Sequence, residues 1–215
     1  MALTGFRTTV KLGGTPVTLT SAAMTSYSTI AHTFQVTAAT QRILSSTAAV
    51  TFKSSSYSLV SADINNINYL FGAVTLTTTF TGSTRYKGPP KATGKYIPVT
   101  TIAGGHNYQL NQTATLYDDT DYSSTGWMMR CAGLRDVALT INRFDNIDLT
   151  VYNTIAAGTP LLVEIRPGGV GNAVRGWFLA KDENRTGDVN TLETAVVNLE
   201  QNAKPSFQQY AWGTP

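Results

Sequence analysis

From Cys131 to Ala180 the polar and apolar positions change period in a fixed order. Val137, Leu139 and Ile141 point one way along the chain, and Ala138, Thr140 and Asn142 the other. That alternation predicts a half-buried strand. After Arg143-Phe144-Asp145 the spacing becomes helical, with Ile147, Val151 and Ile155 at i, i+4 and i+8. Asp145 is the expected N-cap, Asp148 the acidic residue of the first turn, and Gly158 with Pro160 the stop. The spacing therefore predicts one short α-helix over about residues 146–156. Leu161 to Ile165 reads as a strand, Gly168 to Asn172 as a turn, and Val174 to Ala180 as the returning strand.

The rest of the chain gives only strand and loop signals. Thr15–Thr20, Ala48–Phe52 and Tyr57–Val60 read as short strands. Ser21–Thr47 is rich in Ser, Thr and Ala and weakly periodic, which predicts an N-proximal excursion outside the core (about 21–47). Ser61–Leu76 is ambiguous. Ile64, Ile67 and Phe71 share a helical face, whereas Val74, Leu76, Thr78 and Phe80 alternate, so a hairpin over Tyr69–Phe80 turning at Phe71-Gly72 is expected, with a single helical turn before it left open. Gly82–Gly94 reads as the strongest loop, because Pro89 and Pro90 cannot donate to a ladder. Tyr96–Ile102, Tyr108–Tyr117 and Thr194–Glu200 read as strands, and Asp118–Gly126 and Asp182–Leu192 as polar loops. Gln201–Pro215 has no period and reads as a C-terminal arm. With no repeat, linker or composition break, residues 1–215 are expected to form a single domain.

Composition narrows the class without naming a function. Charged residues make up only 13% of the chain, against about 25% in an average soluble domain. Thr and Ser take their place, which suits pleated strands. The formal charge is +3, and no run of like charge is long enough for a nucleic-acid tail. The start, MALTGFRTTVKLGG, lacks the apolar core of a signal peptide. No segment approaches the ~20 apolar residues of a membrane span. Assembly in the cytoplasm is the expectation.

Candidate chemistry is sparse. Cys131 is the one cysteine and reads as an inert buried thiol. His32 and His106 have no ligand-spaced partners, so neither a metal site nor a general base is expected. Gly169-Val170-Gly171 lies between strands, where a turn is the better reading than a dinucleotide site. No catalytic, cofactor-binding or metal-binding residue is assigned, and the chain is read as a non-enzyme. Two loops differ in sign: Arg85, Lys87, Lys91 and Lys95 make a basic one, and Asp118, Asp119 and Asp121 an acidic one. Each could be a plain solvated loop; a nucleic-acid patch is the weaker reading, because four cations in a proline-bent loop give only modest phosphate affinity. The alternative is that the two loops meet between copies of the chain, where complementary charge sets register. Phe207, Tyr210 and Trp212 on the C-terminal arm are the aromatic contact candidates.

The order of the pieces resembles the major tail tube proteins of tailed bacteriophages. Gly133-Leu134-Arg135-Asp136 leads into the first strand, Arg143-Phe144-Asp145 precedes the helix, and an apolar strand follows Gly158. Arg175-Gly176-Trp177-Phe178-Leu179 comes before Asp182-Glu183. Upstream, Asn68 to Leu76 and Gly94 to Pro98 also match. The resemblance covers about Val60 to Glu200, and its specificity lies in the sequence of pieces. It implies a mainly β fold, a β-sandwich or barrel-like tail tube domain with one short helix and extended arms. It implies a structural virion protein that assembles with itself as hexameric rings stacked into a tube, meets other tail proteins at the tube ends, and passes genomic DNA without sequence-specific binding. It implies no cofactor and no membrane partner. The alternatives are another virion β-sandwich (a tail terminator, decoration or baseplate protein) and a carbohydrate-binding module.

Overall fold

The computed structural model describes residues 9–27, 32–101, 105–118, 130–144, 153, 157–166, 173–188, 191–201 and 210–213. In chain order the strands are β1 (Thr9–Gly13), β2 (Val17–Ser26), β3 (Thr33–Val36), β4 (Thr51–Ser54), β5 (Tyr57–Ser58), β6 (Ile64–Asn68) and β7 (Ala73–Leu76). One helical turn, α1 (Thr78–Thr81), follows. Then come β8 (Lys91–Tyr96), β9 (Val99–Thr101), β10 (Gly105–Asp118), β11 (Arg130–Phe144), β12 (Leu161–Arg166), β13 (Ala173–Asp188), β14 (Thr191–Gln201) and β15 (Tyr210–Gly213). They form antiparallel sheets, so the protein is mainly β, as expected. The chain gathers into two compact units: Met1–Ile102 with Leu161–Trp177 and Asn202–Pro215, and Ala103–Pro160 with Phe178–Gln201. The units interleave along the chain, so no composition break separates them.

In the first unit a seven-stranded sheet runs in the order β5-β4-β8-β2-β3-β7-β6. Its apolar positions close one core of Leu19, Met24, Phe34, Val36, Leu44, Phe52, Val74, Leu76, Phe80 and Ala92. Alternation explains the inward residues of β4 and β8: Phe52 and Ala92 are buried and register-paired, Phe52 between exposed Thr51 and Lys53, and Ala92 between exposed Lys91 and half-buried Thr93. In the same unit β1 lies between β12 and β9, pairing Leu12 with Val163 and with Thr100. A second cluster joins Ile43, Leu70, Phe71, Ile97 and Leu162.

The turn expected at Phe71-Gly72 is present, but the hairpin spans Ile64–Leu76 rather than Tyr69–Phe80. β6 pairs β7 from Ile64↔Leu76 to Asn68↔Ala73. Its turn residue Gly72 has φ +60, and a Cβ there would lie 2.3 Å from the Arg42 carbonyl oxygen, so only glycine serves. A 3-10 turn at Ser61–Asp63 precedes it. The alternation from Val74 does not continue as strand to Phe80. Residues 78–81 turn helically, capped by the Thr77 hydroxyl, which accepts from the Phe80 N–H at 3.3 Å.

Three loop expectations are corrected. Ser21–Thr47 is not an excursion outside the core: it supplies most of β2, all of β3, and buried Met24, Phe34, Val36, Ile43 and Leu44. On β2 most polar residues face outward, whereas on β3 Thr33 and Gln35 are buried with Phe34 and Val36, and Gln35 donates to the Phe71 carbonyl at 2.9 Å. The Gly82–Gly94 loop stops at Pro90, and Lys91 starts β8, a strand with partners on both sides. The prolines exclude strand only at their own positions. Residues 182–188 are the continuation of β13 rather than a loop, paired to β14 through Asp188↔Thr191.

In the second unit β11 pairs β10 on one side and β14 on the other, and β14 pairs β13 from Phe178↔Gln201 onward. Val137, Leu139 and Ile141 are buried with Ala195, Val197 and Leu199, on the face the alternation assigned. Arg143, at the next inward position, is also buried and forms an ion pair with the buried Glu183. The expected helix over 146–156 lies outside the described residues except Asn153, which is helical. Of the C-terminal arm, Gln201 ends β14, and Tyr210–Gly213 is a strand paired to β13, Val174↔Trp212 and Gly176↔Tyr210. Among the described residues no helix is long and apolar enough to cross a membrane.

Candidate assembly surface

Strand β10 is the edge of its sheet. It is 14 residues long, whereas the edge strands β9, β5 and β6 have 3, 2 and 5. β14 covers β11 only from Ala138 to Phe144. Beyond that point, among the described residues, β10 and β11 continue as a two-stranded ribbon, through Gln112↔Val137 to Asp118↔Arg130. Every residue from Asn111 to Asp118 is exposed. Leu116 is 57% and Tyr117 51% exposed, and as neighbours on a strand they present to opposite faces. A two-stranded ribbon with both faces in water is marginal by itself. β10 contains no Lys, Arg or Pro to discourage pairing with another chain. One bulge, between Ala114 and Leu116, interrupts its register.

The basic candidates divide. Arg85 folds back on its own unit: its Nη1 donates to the Tyr57 hydroxyl at 2.8 Å, and its guanidinium lies 5.1 Å from that ring centroid. The Tyr57 hydroxyl in turn donates to buried Asp63 at 3.2 Å. Lys87 is exposed on a loop held by Ser54: the Lys87 N–H donates to Ser54 Oγ at 3.0 Å, and that hydroxyl donates to the Gly88 carbonyl at 3.1 Å. Lys91 and Lys95 stand on the solvent face of β8. Lys53, which the sequence reading passed over, is exposed directly opposite Lys91 on β4. The signal was present in the alternation of Thr51-Phe52-Lys53-Ser54, but the pairing of β4 with β8 could not be read from one sequence.

Asp118 is exposed at the end of β10. Asp119, Asp121 and Phe207 lie outside the described residues, and Tyr210 and Trp212 sit on β15.

One further charged group was not expected. Glu164 is fully buried and is met by Arg175 Nε at 2.7 Å, Arg166 Nε at 2.7 Å and Lys11 Nζ at 3.1 Å. Arg175 is itself buried, donates to the Leu70 carbonyl at 2.6 Å, and lies 4.8 Å from the Phe71 ring centroid. Burial pushes the Glu164 carboxyl up, but Arg175 and the hydrogen bonds from Arg166, Arg175 and Lys11 outweigh it and hold the pKa at about 2. The group is saturated by its own neighbours and is structural. Among the described residues no group of three or more His, Cys, Asp or Glu could hold a metal ion.

The chain is similar to a component of the tail of an empty gene transfer agent particle, a structure of C6 symmetry, with a TM-score of 0.46 and 17% identity. The match covers 55% of this chain and 87% of that one. It is similar as well to a component of the virion of a native gene transfer agent particle, with a TM-score of 0.45 and 16% identity over 54% and 88% of the two chains. No family model matches the chain, and no curated protein matches it.

Proposed function

We propose that this chain is a structural protein of a phage-type tail and that it works by binding copies of itself, as rings of six stacked into a tube that conducts DNA. The ring and the tube follow from the order of sequence pieces that resembles the tail tube proteins. The observation that carries self-association is the β10–β11 ribbon, a long edge without Lys, Arg or Pro and with Leu116 and Tyr117 in water on its two faces. Closing such an edge against another copy satisfies its backbone groups and removes apolar surface from solvent. No catalytic step is assigned.

The purified full chain is expected to form rings or tubes as its concentration rises, seen by negative-stain microscopy and sedimentation. Leu116→Asp with Tyr117→Lys is expected to hold it monomeric at the same concentration while leaving its melting temperature within a few degrees. A wild-type protein that stays monomeric at every concentration would overturn the reading. A terminator-like protein would stop at single rings, and a carbohydrate-binding module would remain monomeric and bind a glycan array. The groove of about 530 Å³ between β4 and β6 gives the module little support: its Phe52 ring is buried in the core, which leaves half-buried Tyr69 as the one ring at its wall, not a platform of coplanar exposed rings.

A further inference from the structure

The total charge of +3 conceals a division between the two compact units. Met1–Ile102, Leu161–Trp177 and Asn202–Pro215 together carry eleven Lys and Arg against two Asp and Glu, a formal +9. Ala103–Pro160 and Phe178–Gln201 carry five against eleven, a formal −6, and the two values restore the total of +3. The imbalance is sharper at the surface. Both acidic side chains of the first unit, Asp63 and Glu164, are buried, so its exposed side-chain charge is entirely cationic.

The cations concentrate on one sheet face. Lys53 and Lys91 are register partners on β4 and β8, and Lys95 follows on the same side of β8. The strands of that face, β5, β4, β8 and β2, contain no Asp or Glu. Like charges directly opposite on a ladder repel, and nothing acidic within those strands relieves them. In the second unit Asp118, Asp136 and Glu193 are exposed, on β10, β11 and β14.

The geometry points to head-to-tail association, in which the Lys53–Lys91–Lys95 face of one copy docks on the acidic unit of the next. This rests on the reading that the chain associates with itself, and adds the surface and polarity of one contact. A contact that matched the same patch on both copies would oppose lysine to lysine. A heterologous contact pairs +9 with −6 and repeats, closing into a ring or continuing as a filament. Opposite fields steer the encounter and fix its register, and salt weakens them. A nucleic acid is the less favoured occupant. Three phosphate contacts give a salt slope of only about −2.7, and the face has no Arg or exposed aromatic side chain to hold bases. A second copy brings the complementary surface at equal concentration.

The test is a charge swap in the full chain. One variant carries Lys53→Glu, Lys91→Glu and Lys95→Glu; the other carries Asp118→Lys, Asp136→Lys and Glu193→Lys. Each alone is expected to need at least tenfold more protein to assemble, and a 1:1 mixture to recover wild-type assembly, because each restores the pairing the other lost. Circular dichroism checks that both variants are folded. If reversal unfolds either, the Gln or Asn counterparts are expected to show the same loss of assembly, without rescue. Wild-type assembly is expected to fall as NaCl rises from 50 to 500 mM. The inference is overturned if the wild type assembles and the lysine variant matches it, or if the folded variants fail to rescue each other. It is equally overturned if the lysine variant loses only binding to a labelled DNA duplex. A wild type that never assembles removes the function reading and this inference with it, an outcome distinct from the others.

Discussion

At Glu164, burial alone would favour the neutral acid, and three cations reverse that preference. The unfolded group ionises near 4.5, and the folded one at about 2. Its contribution to stability, about 3 kcal/mol by linkage, is therefore complete above pH 4.5 and lost as pH falls toward 2. Urea midpoints are expected to change little between pH 7 and 5 from this group, and to fall between pH 4.5 and 2. Glu164→Gln should flatten that fall. Arg175→Met leaves the carboxylate short of its buried partner, and is expected to cost about 3–5 kcal/mol. The cluster was not legible in the sequence. Lys11, Glu164, Arg166 and Arg175 come from three strands, and their meeting follows from the sheet order β13-β12-β1, with Lys11 opposite Glu164 on one side and the strand of Arg175 on the other.

Single elements show which sequence signals survive folding. The α1 turn exists to send Phe80 into the core, where its ring stacks on Tyr57 at 5.7 Å and meets Tyr86 edge-on at 6.1 Å. Phe80→Ala is expected to lose about 3–5 kcal/mol, and Thr77→Ala, which removes the cap, about 1 kcal/mol. Denaturant titration would read both. The period-2 strand at Val137–Ile141 was legible because one face is buried and the other is not. β3 was not, although Phe34 and Val36 alternate with Thr33 and Gln35: the run is four residues long inside a Ser/Thr-rich stretch, and its polar members are buried as well, Gln35 donating to the Phe71 carbonyl at 2.9 Å. Lys91 and Lys95 were assigned to the wrong kind of element for a local reason: the Pro89-Pro90 signal was extended past the residues it governs.

For the whole molecule, the sequence disclosed the mainly β class but neither the two units nor the separation of charge between them. Both follow from the same cause. Each unit is assembled from stretches distant in the chain, so any running average along the sequence mixes cations of one with carboxylates of the other. The candidate contact residues were partly legible for the opposite reason. Lys87, Lys91, Lys95 and Asp118 are exposed wherever their elements lie, whereas Arg85 is engaged by Tyr57.

The ribbon also carries a built-in gauge of assembly. From Tyr108 to Asn111, β10 is backed by β11 residues that β14 holds on their far side; beyond Gln112 that support ends. The β11 backbone amides that bond to β10 should therefore exchange with deuterium slowly over residues 138–142 and rapidly over 130–137 in the dispersed protein, since local opening costs little free energy where neighbours are few. When copies join along β10, the fast segment is expected to slow by at least tenfold while the slow one stays as it was. Retained fast exchange in the assembled state would mean that the ribbon stays outside the contact.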